Sequence, residues 1–505
     1  MKLDVVGNAK KNLIFGAINK GIILILPFIV RAVINTKLSS EYLGLNSLFS
    51  SILTVLNLSE LGFSSAIVYH MYQPAAENDT DRICALLNLY RKIYAIVGII
   101  VLILGLAIIP LLPHFVNGLY PKEINLTGIY LIFLADTVIS YFMYAYLSSL
   151  ITVYQRNDLN SMINTVISVA LNSAKIIVIL LFRDYYLCIL LQPLFTILNN
   201  LWIALVVRKL FPQYRCYGTV PTETLSSIKV LVTGAFIQKV CTVTRNSLDS
   251  ICISSFLGLA LTGIYNNYYT ISASISSFLG LFYSSFIGGV GNHIAIKNKS
   301  DNFDEMKKLD FMYLWLSGWC TICLLCLFQP FMTLWMGESM LLDMKSVTLF
   351  CIYFYLLKLG DVRYIYTEAR GLWWEHRYRS VVEAIGNFLL NVVFGRLWGI
   401  YGILTATVLT IFFINYLWGT QIIFRSYFGI EKRKEYFRYQ LEYTIVNLVI
   451  CIVTFLLASF IDMESVWTVL LLRMCLCALF PNILYLIVYH RKAEFRDVLA
   501  LLKRI

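Results

Sequence analysis

Apolar runs of about twenty residues recur along the whole chain, separated by short polar connections. A run of that length, wound as a helix, matches the hydrocarbon thickness of a bilayer. The pattern predicts about fourteen spans. They fall at 12–34, 42–69, 88–112, 127–153, 160–182, 186–207, 229–254, 261–292, 309–333, 346–368, 380–398, 400–424, 441–461 and 465–489. Little chain is left over for a soluble domain. The predicted fold class is an all-α polytopic membrane protein with about 14 transmembrane helices.

The cations sort by connection. Lys10, Lys11, Arg82, Arg91, Lys92, Arg156, Arg208, Lys209, Lys297, Lys307, Arg370, Arg377, Arg379, Lys432, Arg433, Arg491 and Lys503 all fall on one predicted side. The other side holds Lys37, Lys122, Arg183, Lys345 and Arg396. Lys and Arg in alternate loops mark the cytoplasmic side, so both termini are predicted to be cytoplasmic. Lys10 and Lys11 precede the first span with no small-residue cleavage site after it, so that span is read as an uncleaved helix.

A weak internal repeat recurs at about 218 residues. Gly16-Ala17 matches Gly234-Ala235, Gly44 matches Gly263, Leu61-Gly62 matches Leu279-Gly280, and Tyr94 matches Tyr313. Asn164, Ser168 and Asn172 match Glu383, Asn387 and Asn391. An offset of six spans preserves orientation, which predicts two parallel six-helix lobes followed by two C-terminal helices. The expected organisation is an N-terminal lobe at 1–208, a linker at 209–228, a C-terminal lobe at 229–424, and the last two helices with a tail at 425–505. Substrate sites commonly lie between such halves.

Composition agrees. The chain has 505 residues, 59% apolar and 14% charged, well below the quarter usual in soluble domains. The net charge of +12 follows the topology and suits an anionic partner, not nucleic acid. The twelve Cys are scattered, mostly inside spans, and read as small core residues.

A Lys or Arg at mid-membrane costs about 2.5–3.5 kcal/mol to insert, so it faces a cavity or a partner. The first span holds Lys20 and Arg31, three helical turns apart on one face. Its repeat mate, the seventh, holds Lys239, Arg245 and Asp249. A cavity lined this way suits a phosphate-bearing substrate. Two alternatives stand beside this reading: Arg31 snorkels to the outer surface, and Arg245 and Asp249 neutralise each other at i and i+4. Lys175 and Arg473 are read as snorkelling. Polar stripes Asn164–Asn172 and Glu383–Asn387–Asn391 either line a wet path or bond helices together. Lys358, Asp361, Arg363 and Glu368 form either an inner gate or a structural charge network. Glu60 and Asp136 are the acids suited to ion coupling, through a proton or sodium, unless each is paired with a nearby cation.

Enzyme signatures are weak. Cys320, Cys323 and Cys326 mimic metal spacing in an apolar helix without an evident fourth ligand. Asp79-Thr80-Asp81 has the Asp-x-Asp form that some glycosyltransferases use. The five His form no cluster, and neither a Gly-x-Ser-x-Gly nor a phosphate-cradling Gly loop is present. No catalytic residue, cofactor or metal site is expected.

Several stretches resemble bacterial polysaccharide repeat-unit flippases. They are Glu41-Tyr42-Leu43-Gly44-Leu45-Asn46 through Leu58-Ser59-Glu60-Leu61-Gly62, Ser65-Ala66-Ile67-Val68-Tyr69, Tyr154-Gln155-Arg156, Asp249 with Ile253-Ser254, Gly263-Ile264-Tyr265-Asn266-Asn267-Tyr268, and Gly371-Leu372 through Arg377-Tyr378 with Glu383-Ala384 and Asn387. That group sits within the multidrug, oligosaccharidyl-lipid and polysaccharide exporter superfamily. The resemblance covers most of the chain. It implies fourteen helices and a central cationic cavity open alternately to each side of the bacterial cytoplasmic membrane. The implied cargo is a polyprenyl-diphosphate-linked oligosaccharide. Membrane lipids, a polysaccharide polymerase and glycosyltransferases are the implied partners. Lys20 fits, by position, the diphosphate-binding role of basic residues in early helices of the lipid II members. Two rivals remain at this point. One is a drug or small-cation exporter of the same fold; the other is an integral-membrane glycosyltransferase or polymerase.

Overall fold

The computed structural model describes residues 5–57, 63–117, 120 and 123–502, and among them the chain is helical without a strand. In lipid every backbone N–H and C=O must find a partner within the segment, which leaves the helix as the form for these apolar runs. Each of the fourteen predicted segments falls on helix, with residues 58–62 of the second outside the described set. The chain divides into two compact units, Met1–Gly263 and Ile264–Ile505.

The first unit holds α1 (Val5–Lys37), α2 (Ser40–Leu56), α3 (Phe63–Glu77), α4 (Thr80–Ile108), α5 (Leu112–Phe115), α6 (Leu126–Phe142), α7 (Ser148–Val153), α8 (Asn157–Phe182), α9 (Tyr185–Leu210) and α10 (Thr222–Leu257). Polar caps start these helices where the hydropathy changes. The side chains of Asp79, Asn125 and Asp184 accept backbone N–H groups from the first turns of α4, α6 and α9. The predicted span 127–153 is bent: α6 and the segment Ala145–Val153 meet at 48°, with Tyr144 in the left-handed region at φ 58. Helix α1 lies along α8, α6 and α8 pack on α9, and α10 packs on α2 and α3. The predicted linker, 209–228, belongs to this same unit. Tyr217 donates to Asp81 at 2.7 Å, and Asn88 donates to Gly218 O at 2.9 Å.

Helix α11 (Leu259–Ile296) begins in the first unit and continues into the second. Its start approaches α2 backbone to backbone. A Cβ on Gly44 would sit 2.0 Å from Leu259 O, and one on Gly263 would sit 2.7 Å from Ser40 O. The two glycines matched by the repeat therefore face one another. Replacing Gly44 with valine is expected to destabilise the protein by about 1–3 kcal/mol, as overpacking does. A lower melting temperature of the detergent-solubilised protein is the readout; an unchanged one would contradict the close approach.

The second unit continues with α12 (Lys299–Met336), α13 (Met344–Leu359), α14 (Asp361–Arg370), α15 (Arg377–Thr410), α16 (Gly419–Ile423), α17 (Lys432–Ser459), α18 (Val466–Tyr489) and α19 (Ala493–Leu502). Ile411–Trp418 and Phe424–Phe428, on either side of α16, are wound as π-helix. Helix α15 reverses at Gly399, φ 60 and ψ −135, a conformation open to glycine. That is the residue between the eleventh and twelfth predicted spans. The predicted span 346–368 is interrupted at Gly360, between α13 and α14.

Lipid supplies no hydrophobic drive between helices, so this unit coheres through close packing and buried polar bonds. Asn447 of α17 shows both. Its Nδ2 donates to Leu314 O at 3.3 Å and to the Tyr355 hydroxyl at 3.1 Å, and its Oδ1 accepts from Tyr485 at 2.6 Å. Gly318 leaves the space for it: a Cβ there would lie 2.5 Å from Asn447 Oδ1. One asparagine thus ties together α12, α13, α17 and α18. Among the described residues, eight helices are long and apolar enough to cross a membrane, or nine with the bent pair. The count is lower than fourteen partly because α2 and α13, at 17 and 16 residues, are short for a span. In addition, Arg377–Phe428 counts once although it folds back at Gly399.

Candidate functional site

In the first unit, α1, which carries Lys20 and Arg31, lies along α8, which carries Asn164 and Asn172. Asn19 fixes the pair by donating to Ser161 O at 3.2 Å and to Thr165 Oγ1 at 3.0 Å. The adjacent Lys20 is half-buried and has no ion pair or hydrogen bond among the described residues. A half-buried ammonium without a counter-charge is costly on a helix of a membrane-spanning unit. Arg31, half-buried, stands beyond Pro27 on the same helix, in the neighbourhood of Tyr185. Asn164 is half-buried, while Asn172 donates to Ser168 O of its own helix at 2.7 Å.

Arg245 and Asp249, each 4% exposed, lie inside the same unit on α10, and both are engaged by neighbours. The side chain of Lys239 and the whole of Glu60 lie outside the described residues. Asp136 accepts from Thr196 at 2.5 Å, and the charge of Lys175 acts on it. Lys175 does not snorkel: it donates to Gln192 at 3.0 Å, one turn from Thr196 on α9. In this arrangement Asp136 is a carboxylate with partners.

In the second unit the candidate acids and amides form a buried network. Arg363, 1% exposed, donates through Nη1 to Tyr416 O at 2.7 Å and Thr420 Oγ1 at 2.9 Å, and through Nη2 to Asn415 Oδ1 at 3.3 Å. Asn415 passes the chain on, donating to both Glu383 oxygens at 3.1 and 3.0 Å. Arg379 completes it with a 2.8 Å ion pair to Glu383. Asn387 donates to Thr407 at 3.1 Å and Thr410 at 3.3 Å, across the α15 reversal, and accepts from Asn391 at 3.2 Å. Lys358 pairs with Asp361 at 3.0 Å, and Tyr313 donates to the same carboxylate at 2.5 Å. In this arrangement Glu383, Asn387, Lys358, Asp361 and Arg363 bond elements of one unit together. Arg379, Asn415 and Thr420 were not singled out from sequence. Arg379 had a legible signal, standing four residues before Glu383.

Two apparent motifs have structural roles. Asp79 caps α4 by accepting Arg82 N at 3.0 Å, and Asp81 holds Tyr217. Cys326 and Cys477 are fully buried in the second unit, where Trp319 of α12 donates to Cys477 O at 2.7 Å. No group of His, Cys, Asp and Glu among the described residues is arranged to hold a metal.

His376, in the turn between α14 and α15, gives a pH prediction. Burial, then the positive charges of Arg379 and Arg363, push its imidazole down from 6.5 to about 2. An unfolded chain binds that proton and the folded one does not. The stabilisation is therefore complete above the unfolded value. It is lost as pH falls below it, by up to about 1.4 kcal/mol per pH unit. His376→Gln is expected to flatten the acid side of a plot of melting temperature against pH. An unaltered slope would count against it.

The fold is similar to that of solved structures of a lipid II flippase and of multidrug transporters. At 16% identity the chain matches "Lipid II flippase MurJ, inward closed conformation" with a TM-score of 0.66, over 96% of this chain and 100% of the other. It matches a MATE transporter of Vibrio cholerae at 13% identity and a TM-score of 0.59, over 83% and 98% of the two chains. It also matches an inward-facing multidrug resistance MATE family transporter of the MOP superfamily, again at 13% and 0.59, over 79% and 94%. These likenesses define an all-α, multi-pass membrane fold. Residues 9–287 match the family described as polysaccharide biosynthesis protein, and the chain belongs to that family. No curated protein matches it.

Proposed function

We propose that this protein flips a polyprenyl-diphosphate-linked oligosaccharide repeat unit from the inner to the outer leaflet of the bacterial cytoplasmic membrane, for surface polysaccharide assembly. The carrying observation is Lys20, a half-buried cation in the first span with no counter-charge among the described residues. A diphosphate supplies what that ammonium lacks. Membership of the polysaccharide biosynthesis family points to the same cargo. Sugar hydroxyls cannot cross hydrocarbon unpaired, so the head group needs a wet path while the lipid tail stays in the bilayer. Two six-helix lobes rocking about that path would give alternating access, with both termini in the cytoplasm. The transport step makes and breaks no covalent bond. A proton or sodium gradient, or consumption of cargo outside by a polymerase, would drive it.

The test is made in cells lacking this gene. Lipid-linked oligosaccharides are extracted and surface polysaccharide is assayed. Complete lipid-linked repeat units accumulating without surface polymer is the expected result. Truncated lipid-linked sugars would identify a glycosyltransferase instead. Normal polysaccharide with altered drug sensitivity would identify a drug exporter.

A further inference from the structure

The turn joining α14 to α15 is rigid, cationic and aromatic, and the transport reading gives it no task. Its rigidity starts at Gly371, left-handed at φ 69. The Gly371 N–H bonds Glu368 O at 3.1 Å and the Leu372 N–H bonds Thr367 O at 2.9 Å, a Schellman closure with Leu372 buried as its hydrophobic contact. Trp373 then packs edge-on against Tyr364 at 5.5 Å, and His376 is buried beneath.

What this base presents outward is Arg377. Its guanidinium lies 4.1 Å from the Trp374 ring centroid and 4.4 Å from that of Tyr378, and Nη1 donates to Trp374 O at 2.6 Å. Among the described residues no carboxylate pairs with it, although Glu375 stands two positions away. Trp374 and Tyr378 are 54% and 64% exposed. Tyr378 begins a stripe along α15, continued by the exposed Val382, Ile385, Leu389 and Val393 at helical spacing. An apolar exposed stripe on a membrane helix is the face turned to lipid. The turn thus stands where that face meets the membrane surface, the level at which Trp and Tyr anchor. Two further cations belong to the same unit: Arg370, the residue before Gly371, over the Tyr427 ring at 5.4 Å, and the exposed Arg425, two positions before Tyr427.

We propose that this turn is a binding site for the phosphate head group of an anionic phospholipid. The remaining N–H groups of a guanidinium held over two rings and by the Trp374 carbonyl can meet two oxygens of one phosphate. Arg370 and Arg425 repel the ammonium of a zwitterionic head group and favour a lipid with net negative charge. The acyl chains would lie along the exposed stripe of α15.

The test uses the full-length protein in detergent, titrated with phosphatidylglycerol or phosphatidylcholine and read by native mass spectrometry. The wild type is expected to hold phosphatidylglycerol about tenfold more tightly at its strongest site, because Arg370 and Arg425 disfavour the choline ammonium. Arg377→Ala is expected to weaken phosphatidylglycerol binding by about tenfold, the size of one charge-assisted hydrogen bond. Trp374→Leu, which keeps the charge and removes one ring, is expected to weaken it by about threefold. Should Arg377→Ala fail to fold, the wild-type preference and the Trp374→Leu shift still decide the matter. Equal binding of the two lipids by the wild type would overturn the proposal. So would equal phosphatidylglycerol binding by wild type and variants. Displacement of the lipid by millimolar inorganic phosphate would show a soluble anion site and overturn the lipid assignment.

Discussion

Replacing Lys20 with alanine is expected to cut export of surface polysaccharide by roughly ten- to a hundredfold, while the protein still inserts and folds. The magnitude is that of one charge-assisted hydrogen bond to a diphosphate, about 1.5–3 kcal/mol. Export suffers because the interaction is made with the cargo. Folding is spared because, among the described residues, Lys20 bonds nothing that its removal would strand. Asn19, which does bond α8, stays in place. Lys20→Arg keeps the charge and should recover much of the activity. Surface polymer, lipid-linked precursor and membrane-inserted protein are measured together in the same strains. Normal export by Lys20→Ala, at equal protein level, would remove the observation on which the proposed cargo rests. Lys239→Ala is the parallel experiment on the repeat mate.

The second large effect is on stability. Arg379 and Glu383 are 2% and 5% exposed and form a 2.8 Å pair. Removing one partner of a buried pair leaves the other charged and unpaired, at about 3–5 kcal/mol. Glu383→Gln should therefore lower the melting temperature of the detergent-solubilised protein sharply. Arg379→Met with Glu383→Leu should recover part of the loss, since Arg379 is no longer stranded, while the Asn415 amide still loses its acceptor. If Glu383→Gln melts like the wild type but loses ion-driven transport, Glu383 is a coupling residue and not a tie within its unit.

Periodicity made most of the helices legible. The breaks were legible where a single residue type marks them: Gly399 falls between two predicted spans and reverses the chain. The bend at Tyr144 left no such mark, because a left-handed tyrosine is a product of packing and not of local preference. Site residues divide along the same line. Lys20 and Arg31 stand out because a cation is costly in lipid. Lys175 stood out too but was assigned to the surface, since its partner Gln192 lies on another helix, seventeen positions on. Asn415 is a lone amide in an aromatic run, and only the folded chain places it between Arg363 and Glu383.

The π-helical stretch Ile411–Trp418 fixes something that composition does not. A π turn accommodates an extra residue, as though one had been slipped into an α-helix without disturbing either end. Deleting one of the eight would let the stretch relax to α geometry with both flanks still aligned, so Thr420 beyond it would keep facing Arg363. Asn415, inside the stretch, is the residue that would shift, and its bond to Glu383 would go with it. Evolution can therefore exchange the lipid-facing side chains here, such as the exposed Phe413, with little consequence. It can shorten the segment only by giving up the Asn415 bond. In comparisons between descendants of this gene, a one-residue loss between Arg363 and Thr420 should coincide with replacement of Asn415 or Glu383.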